Sequence, residues 1–245
     1  MSQNPYQASE FEYPTVADRA NADLRATFIR RTYLHLLGAI LAFAGIVAVI
    51  LTLFDEQLAQ IVPRLMGGYM WLVVLGGFML VSYIADRWAH SNTSRQMQYL
   101  GLSVYVIAEA LIFVPLLWFA QNFFGGQDSN LILSAGIVTG VVFGGLTFTV
   151  LVTKTDFSFL KWALVVGGFI AMGLIVCGIV FQGFSLGIWF SIAMVILASG
   201  AILYNTSNIL HHYNTDQYVA ASLALFASVA LLFWYVIQIF MHLED

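Results

Sequence analysis

The sequence predicts an all-α integral membrane protein, a bundle of seven transmembrane helices, and three observations predict it. Of the 245 residues, 60% are hydrophobic and only 9% are charged, where a soluble domain would carry about 25% charged residues. Seven separate apolar stretches lie between residues 33 and 241, each near the roughly 20 residues that cross a hydrocarbon core of about 30 Å. These stretches are continuous rather than alternating, which predicts helices. Backbone amides in lipid must be bonded within their own segment or in a closed barrel, so helices satisfy the bilayer as well.

Residues 1–16, MSQNPYQASEFEYPTV, carry Pro5, Pro14 and small polar residues with no apolar period, and are expected to be disordered. From Ala17 the run ADRANADLRATFIRR suits an amphipathic helix at the membrane surface that runs into the first span. The expected organisation is therefore a cytoplasmic tail over residues 1–30 and a transmembrane domain over 31–245. The first 27 residues are polar and lack the short basic region and apolar core of a cleavable signal, so the first span is expected to direct insertion.

The first span, 33–54, stops at Asp55-Glu56, and the second, 66–85, stops at Asp86-Arg87, with charge persisting to Arg95. The third, 99–119, is followed by Gly125-Gly126, and the fourth, 131–153, by the charged run from Lys154 to Asp156. The fifth, 160–181, ends at Gly183, and the sixth, 185–207, ends before the polar run from His211 to Asp216. The seventh covers 218–241. Lys and Arg favour the cytoplasmic side. With the N-terminus inside, the cytoplasmic segments hold Arg19, Arg25, Arg30, Arg31, Arg87, Arg95, Lys154 and Lys161, and the outer segments hold only Arg64. An odd number of spans then puts residues 242–245 outside.

Small residues on one helix face let a neighbouring backbone approach closely. Gly136, Gly140 and Gly144 recur every four residues in the fourth span, and Ala220, Ala224 and Ala227 mark the seventh. Both stripes are expected to be helix-packing faces. Trp71, Trp118, Trp162 and Trp189 lie near span ends, as interfacial anchors do.

Composition also excludes function classes. The net charge is −4 and no basic cluster occurs, so no nucleic-acid partner is expected. The lone Cys177 rules out an intramolecular disulfide and a cysteine metal site; it is expected to be a small buried apolar residue. No HExxH, phosphate loop or dinucleotide fingerprint is present, and no enzyme activity, metal or cofactor is expected. The run 183–187 matches G-x-S-x-G, but that motif needs a strand, a sharp turn and a helix. Here it joins two membrane helices, so Ser185 reads as a turn residue.

Glu109 stands midway along the third span. An ionised group at a helix centre costs about 2.5–3.5 kcal/mol on insertion, so such a residue faces the bundle interior or a water-filled path. Two readings stay open: a proton or cation relay, or a protonated carboxyl bonded to a neighbouring helix for structure alone. Pro115, six residues on, removes one backbone bond and can bend the helix, which makes it a gating candidate. The other candidates for a polar path are Asn205, Thr206, Ser228, Thr139 and Thr147. His35 is expected to reach the headgroup region or to bond a carbonyl. His211 and His212 are adjacent and do not form the i, i+4 pair of a zinc site; with Asp216 they are expected in a solvated loop.

The C-terminal stretch SGAILYNTSNILHHYNTDQYVAASLALFASVALLFWYVIQIF resembles the signature of the Bax inhibitor-1 family. The run RTYLHLLG from Arg31 and the loop TKTDFSFLKW resemble the family at the starts of the first and fifth spans, so the likeness covers residue 30 to the end. Thr206 to Ile209 and Ser228 resemble the bacterial YccA branch most. The resemblance implies a bundle whose last helix is surrounded by the others, in the plasma membrane of a bacterium or an organelle membrane of a eukaryote. It also implies a leak for calcium, or for protons, gated within the bundle. Family members that act as pH-sensitive leaks use one aspartate on the sixth span and one on the seventh; the matching positions here are Asn205 and Ser228. Neither ionises, so the coupled titration of two close carboxylates cannot run in this chain. The YccA branch is associated with the membrane protease FtsH, which pulls on flexible cytoplasmic ends. The resemblance thus implies a second role, protease regulation through a tail carrying Phe11, Tyr13, Arg19 and Arg25. A purely structural bundle is the third reading.

Overall fold

A computed structural model describes residues 16–67, 69–91, 94–124, 130–181 and 186–244. Among the described residues the chain forms eight α-helices, seven of them long and apolar enough to cross a membrane. In chain order they are α1 (Val16–Leu53), α2 (Asp55–Met66), α3 (Met70–Ala89), α4 (Arg95–Phe119), α5 (Leu131–Thr153), α6 (Leu160–Val180), α7 (Gly187–His211) and α8 (Tyr218–Glu244). The expected Glu- and Pro-bearing third span is α4, which runs through Pro115 and widens into a π turn over Ala120–Phe124.

The segment after the first span was expected to be a connection, and it is a helix. In α2, Asp55 and Glu56 occupy the first turn and Arg64 the last, which complements the helix dipole at both ends. Its 12 residues rise about 18 Å, too little to cross a bilayer. Val62 is buried, and Asp55 accepts a hydrogen bond from the Trp118 indole at 2.8 Å. Trp118 is accordingly buried beneath α2 rather than anchored in the interface, while Trp162 and Trp189 are exposed as expected. The surface helix and the first span are one 38-residue rod, α1.

The last helix is central, as the resemblance implies. α8 packs against α1, α3, α4, α5 and α7, and its buried residues fall on every side, from Tyr218 through Phe226 and Leu232 to Ile237. Around it Phe113 meets Phe43 edge-on at 5.0 Å and Trp234 edge-on at 4.9 Å, and stacks on Phe233 at 5.7 Å. α6 is peripheral: of its described residues only Ala171 is buried, and Cys177 faces outward, contrary to expectation. An apolar thiol on a lipid-facing surface needs no burial within the chain, because lipid is the apolar phase.

The glycine stripe is also corrected. α5 packs through Ala135, Thr139, Thr147 and Val150, while Gly136, Gly140 and Gly144 are exposed. A methyl added at Gly136 would reach only the Phe233 ring at 4.0 Å, and at Gly140 or Gly144 it would meet nothing within 4 Å. The alanines of α8 do pack: Ala220 is fully buried and Ala224 and Ala227 are half-buried.

Candidate functional site

α3, α4, α7 and α8 line an open cavity of about 460 Å³. α3 contributes Phe78, Ser82 and Asp86, which are spaced one turn apart, and α4 contributes Tyr105 and Glu109 at the same spacing. Asn205 of α7 and Ala224, Ala227 and Ser228 of α8 complete the polar side. Asp86 is exposed, with its side chain 53% accessible, and Glu109 is 7% exposed. From Asp86 to Phe78 the helix rises about 12 Å. The cavity thus leads from the helix ends at the Asp86 side to a carboxyl well inside the bundle.

The sequence offered no reason to bring Glu109 near Asn205; the fold puts both on one cavity. Glu109 Oε2 is buried without a hydrogen-bond partner, and so is Ser82 Oγ. Orphaned buried oxygens of this kind call for a water or an ion. The Tyr105 phenol lies beside the Glu109 carboxyl. One turn beyond Glu109 the aromatic layer of Phe113, Phe43 and Trp234 forms a floor.

Asn205 and Ser228 form the neutral pair that their chemistry allows. Asn205 Nδ2 donates to Ser228 Oγ at 2.8 Å and to the Ala224 carbonyl at 3.2 Å, and Ser228 Oγ donates to the same carbonyl at 3.0 Å. Two of these bonds, both from Asn205, tie α7 to α8 beside the cavity, and the pair carries no net charge.

The remaining candidates lie elsewhere. Thr206 and Thr147 are buried and face the Tyr33 hydroxyl. They converge between α1, α5 and α7, away from Glu109. Thr139 is absorbed by its own helix, donating to Ala135 O at 2.7 Å. Pro115 is buried about 9 Å further along α4 than Glu109, beyond the floor. Arg25, expected in a free tail, instead donates to the Tyr213 carbonyl and stacks over Phe28. The side chains of Arg19, Phe11 and Tyr13 lie outside the described residues, as does Ser185.

Two of the histidines at this end, His90 and His212, pair with carboxylates. His90 lies 3.3 Å from Asp86, and that bond raises its pKa. His212 lies 3.8 Å from Asp156 rather than near Asp216. The Ser158 backbone amide holds the exposed Asp156 carboxyl below the usual range. His35 bonds the Arg31 carbonyl at 2.7 Å, as expected. Among the described residues no group of three or more His, Cys, Asp and Glu could hold a metal ion.

Comparison with known proteins agrees with this architecture. The profile of the family described as inhibitor of apoptosis-promoting Bax1 matches residues 25–245. An uncharacterized protein of Pseudomonas aeruginosa is 29% identical over 86% of this chain and 87% of its own length. The modulator of FtsH protease YccA of Escherichia coli is 29% identical over 84% of this chain and 85% of its own. The mouse protein lifeguard 4 is 24% identical over 94% of this chain and 90% of its own. No solved structure matches the chain.

Proposed function

The chain belongs to the Bax inhibitor-1 family of multi-pass membrane proteins, and on that premise we propose that it is a cation leak, for calcium or protons, working through the Glu109 cavity. The observation that carries this reading is the orphaned Glu109 oxygen on a cavity that extends to exposed Asp86. Glu109, the Asn205 amide and the Ser82 and Ser228 hydroxyls supply oxygen donors, the kind that hard cations take. Asn205 and Ser228 hold α7 to α8 without titrating, so the carboxyl groups of the site are buried Glu109 and exposed Asp86. The aromatic floor is the closed gate, and permeation requires Phe113 to move.

The test uses the full chain in proteoliposomes, with calcium and proton flux as the readout. Glu109→Gln removes the charge and keeps the shape, and flux is expected to fall about tenfold or more, the factor that 1.4 kcal/mol supplies. Asn205→Ala should alter the rate as well. Flux equal to empty vesicles, or unchanged in Glu109→Gln, rejects the leak. Variants that change only melting behaviour would favour a purely structural role.

A second reading, regulation of a membrane protease such as FtsH, draws on the Escherichia coli relative, the modulator of FtsH protease YccA. We place the N-terminal tail in the cytoplasm and the chain in the bacterial inner membrane, from the Lys and Arg distribution and the relative named an inner membrane protein. A protease that pulls on cytoplasmic ends would then meet Phe11, Tyr13 and Arg19 first. Deleting residues 2–16 is expected to weaken co-purification with FtsH and to change the lifetime of the chain while leaving ion flux intact. Association and lifetime that survive the deletion reject this reading.

A further inference from the structure

A second cavity, of about 440 Å³, lies between α1 and α4. Gly38, Ala39, Ala42 and Ile46 line it from α1, and Val106 and Ile107 from α4. Its only polar linings are Ser103 and, at one end, His35. From His35 to Ile46 the helix rises about 16 Å, close to half of a hydrocarbon core of about 30 Å. The groove therefore has the depth of one leaflet. Gly38 leaves it open, since a methyl there would meet nothing within 4 Å.

Among the described residues no carboxylate pairs with the positive charge at the His35 end. His35 Nε2 bonds the Tyr99 hydroxyl at 3.1 Å, and Tyr99 bonds the Tyr218 hydroxyl at 3.1 Å. Arg95 donates to that Tyr218 hydroxyl at 2.9 Å. The guanidinium groups of Arg31 and Arg95 both stand over the Tyr218 ring, at 5.7 and 5.6 Å. The charged groups that act on Tyr99 and Tyr218 are these two arginines, and among the described residues neither arginine has an ion-pair partner. Two guanidinium groups gathered at one ring attract a phosphate, which accepts hydrogen bonds from a guanidinium in a forked geometry.

We propose that the α1/α4 groove is a binding site for an anionic phospholipid, its phosphate between Arg31 and Arg95 and one acyl chain along Gly38, Ala42 and Ile46. Basic pockets between membrane helices on the cytoplasmic side bind acidic headgroups in this way. Charge complementarity selects the headgroup, and the apolar, leaflet-deep lining selects a chain over a free anion. Neither end of this site touches the Glu109 cavity, so it stands apart from the proposed leak.

The experiment follows phosphatidylglycerol and phosphatidylcholine binding to the full chain in detergent, by native mass spectrometry and by the shift in melting temperature. Phosphatidylglycerol is expected to bind the wild type about tenfold more tightly than phosphatidylcholine, and the Arg31→Gln/Arg95→Gln pair to abolish that preference. Gly38→Leu, whose first side-chain carbon would meet nothing within 4 Å, narrows the groove and is expected to weaken phosphatidylglycerol binding with both arginines in place. Equal binding of the two lipids by the wild type overturns the proposal, as does a preference that survives the double substitution or Gly38→Leu. Inorganic phosphate that reproduces the melting shift by itself also overturns it, since the site would then read a free anion. If the double variant fails to fold, Arg95→Lys decides by a partial loss of preference; an unchanged preference there overturns the assignment.

Discussion

At Gly101 an added methyl would lie 2.5 Å from the Ala85 carbonyl and 2.6 Å from the Ala89 amide. Both are backbone atoms, which cannot swing aside as a side chain can. The glycine therefore fixes how closely α4 approaches α3, and with it how Tyr105 and Glu109 face Phe78, Ser82 and Asp86. Gly101→Ala is expected to destabilise the bundle by about 1–3 kcal/mol through overpacking, read as a lower melting temperature in detergent. An unchanged melting temperature would mean that the two helices part without cost. The same residue scale separates what the sequence could and could not tell. Glu109 was legible because a carboxyl in a long apolar run is conspicuous whatever the fold. Its company on the cavity was not, because that depends on how α7 and α8 rotate toward α4. Asn205 and Ser228 could be paired from the family resemblance, and their 2.8 Å bond agrees. Gly101 gave no signal: in a chain with 20 glycines, close approach is visible only once both helices are placed.

Among the elements, long apolar runs were readable and short or outward-facing features were not. The seven spanning helices fall where the apolar runs do, since hydrocarbon leaves the backbone no other solution over such lengths. α2 was missed because its charges resembled a turn and Pro63 falls inside it. The signals that would have found it are the acidic first turn, the basic last turn and an apolar residue at Val62, combined with a Trp118 indole that needs an acceptor. The glycine stripe of α5 misled for a related reason. A four-residue repeat identifies a face but not what lies against it, and within this chain the buried face of α5 is the one with Ala135 and Thr139. α1 was divided at residue 30 by composition, yet the helix has no reason to break there. Arg25 bonds the α7–α8 loop, and Phe28 and Thr32 are already buried, so the packed part of the rod begins before the apolar run does.

For the whole molecule, charge and topology constrain each other. α1, α4, α6 and α8 begin, and α3, α5 and α7 finish, at one end of the bundle, as alternation of seven crossings requires. Eight of the nine Lys and Arg residues belong to that end, and the ninth, Arg64, belongs to α2 at the other. Because α2 does not cross, the count of crossings stays odd and the two termini must part company. The bias of basic residues in short loops sets which end stays in the cytoplasm. A reporter fused before Met1 should therefore read as cytoplasmic and one fused after Asp245 as external. With Cys177 first changed to Ser, a cysteine at Arg64 should label from outside intact cells, and one at Lys154 only after the membrane is opened. Reporters on the same side, or external labelling at position 154, would remove the tail from the protease, turn the Asp86 mouth outward and place the arginine-lined groove in the opposite leaflet.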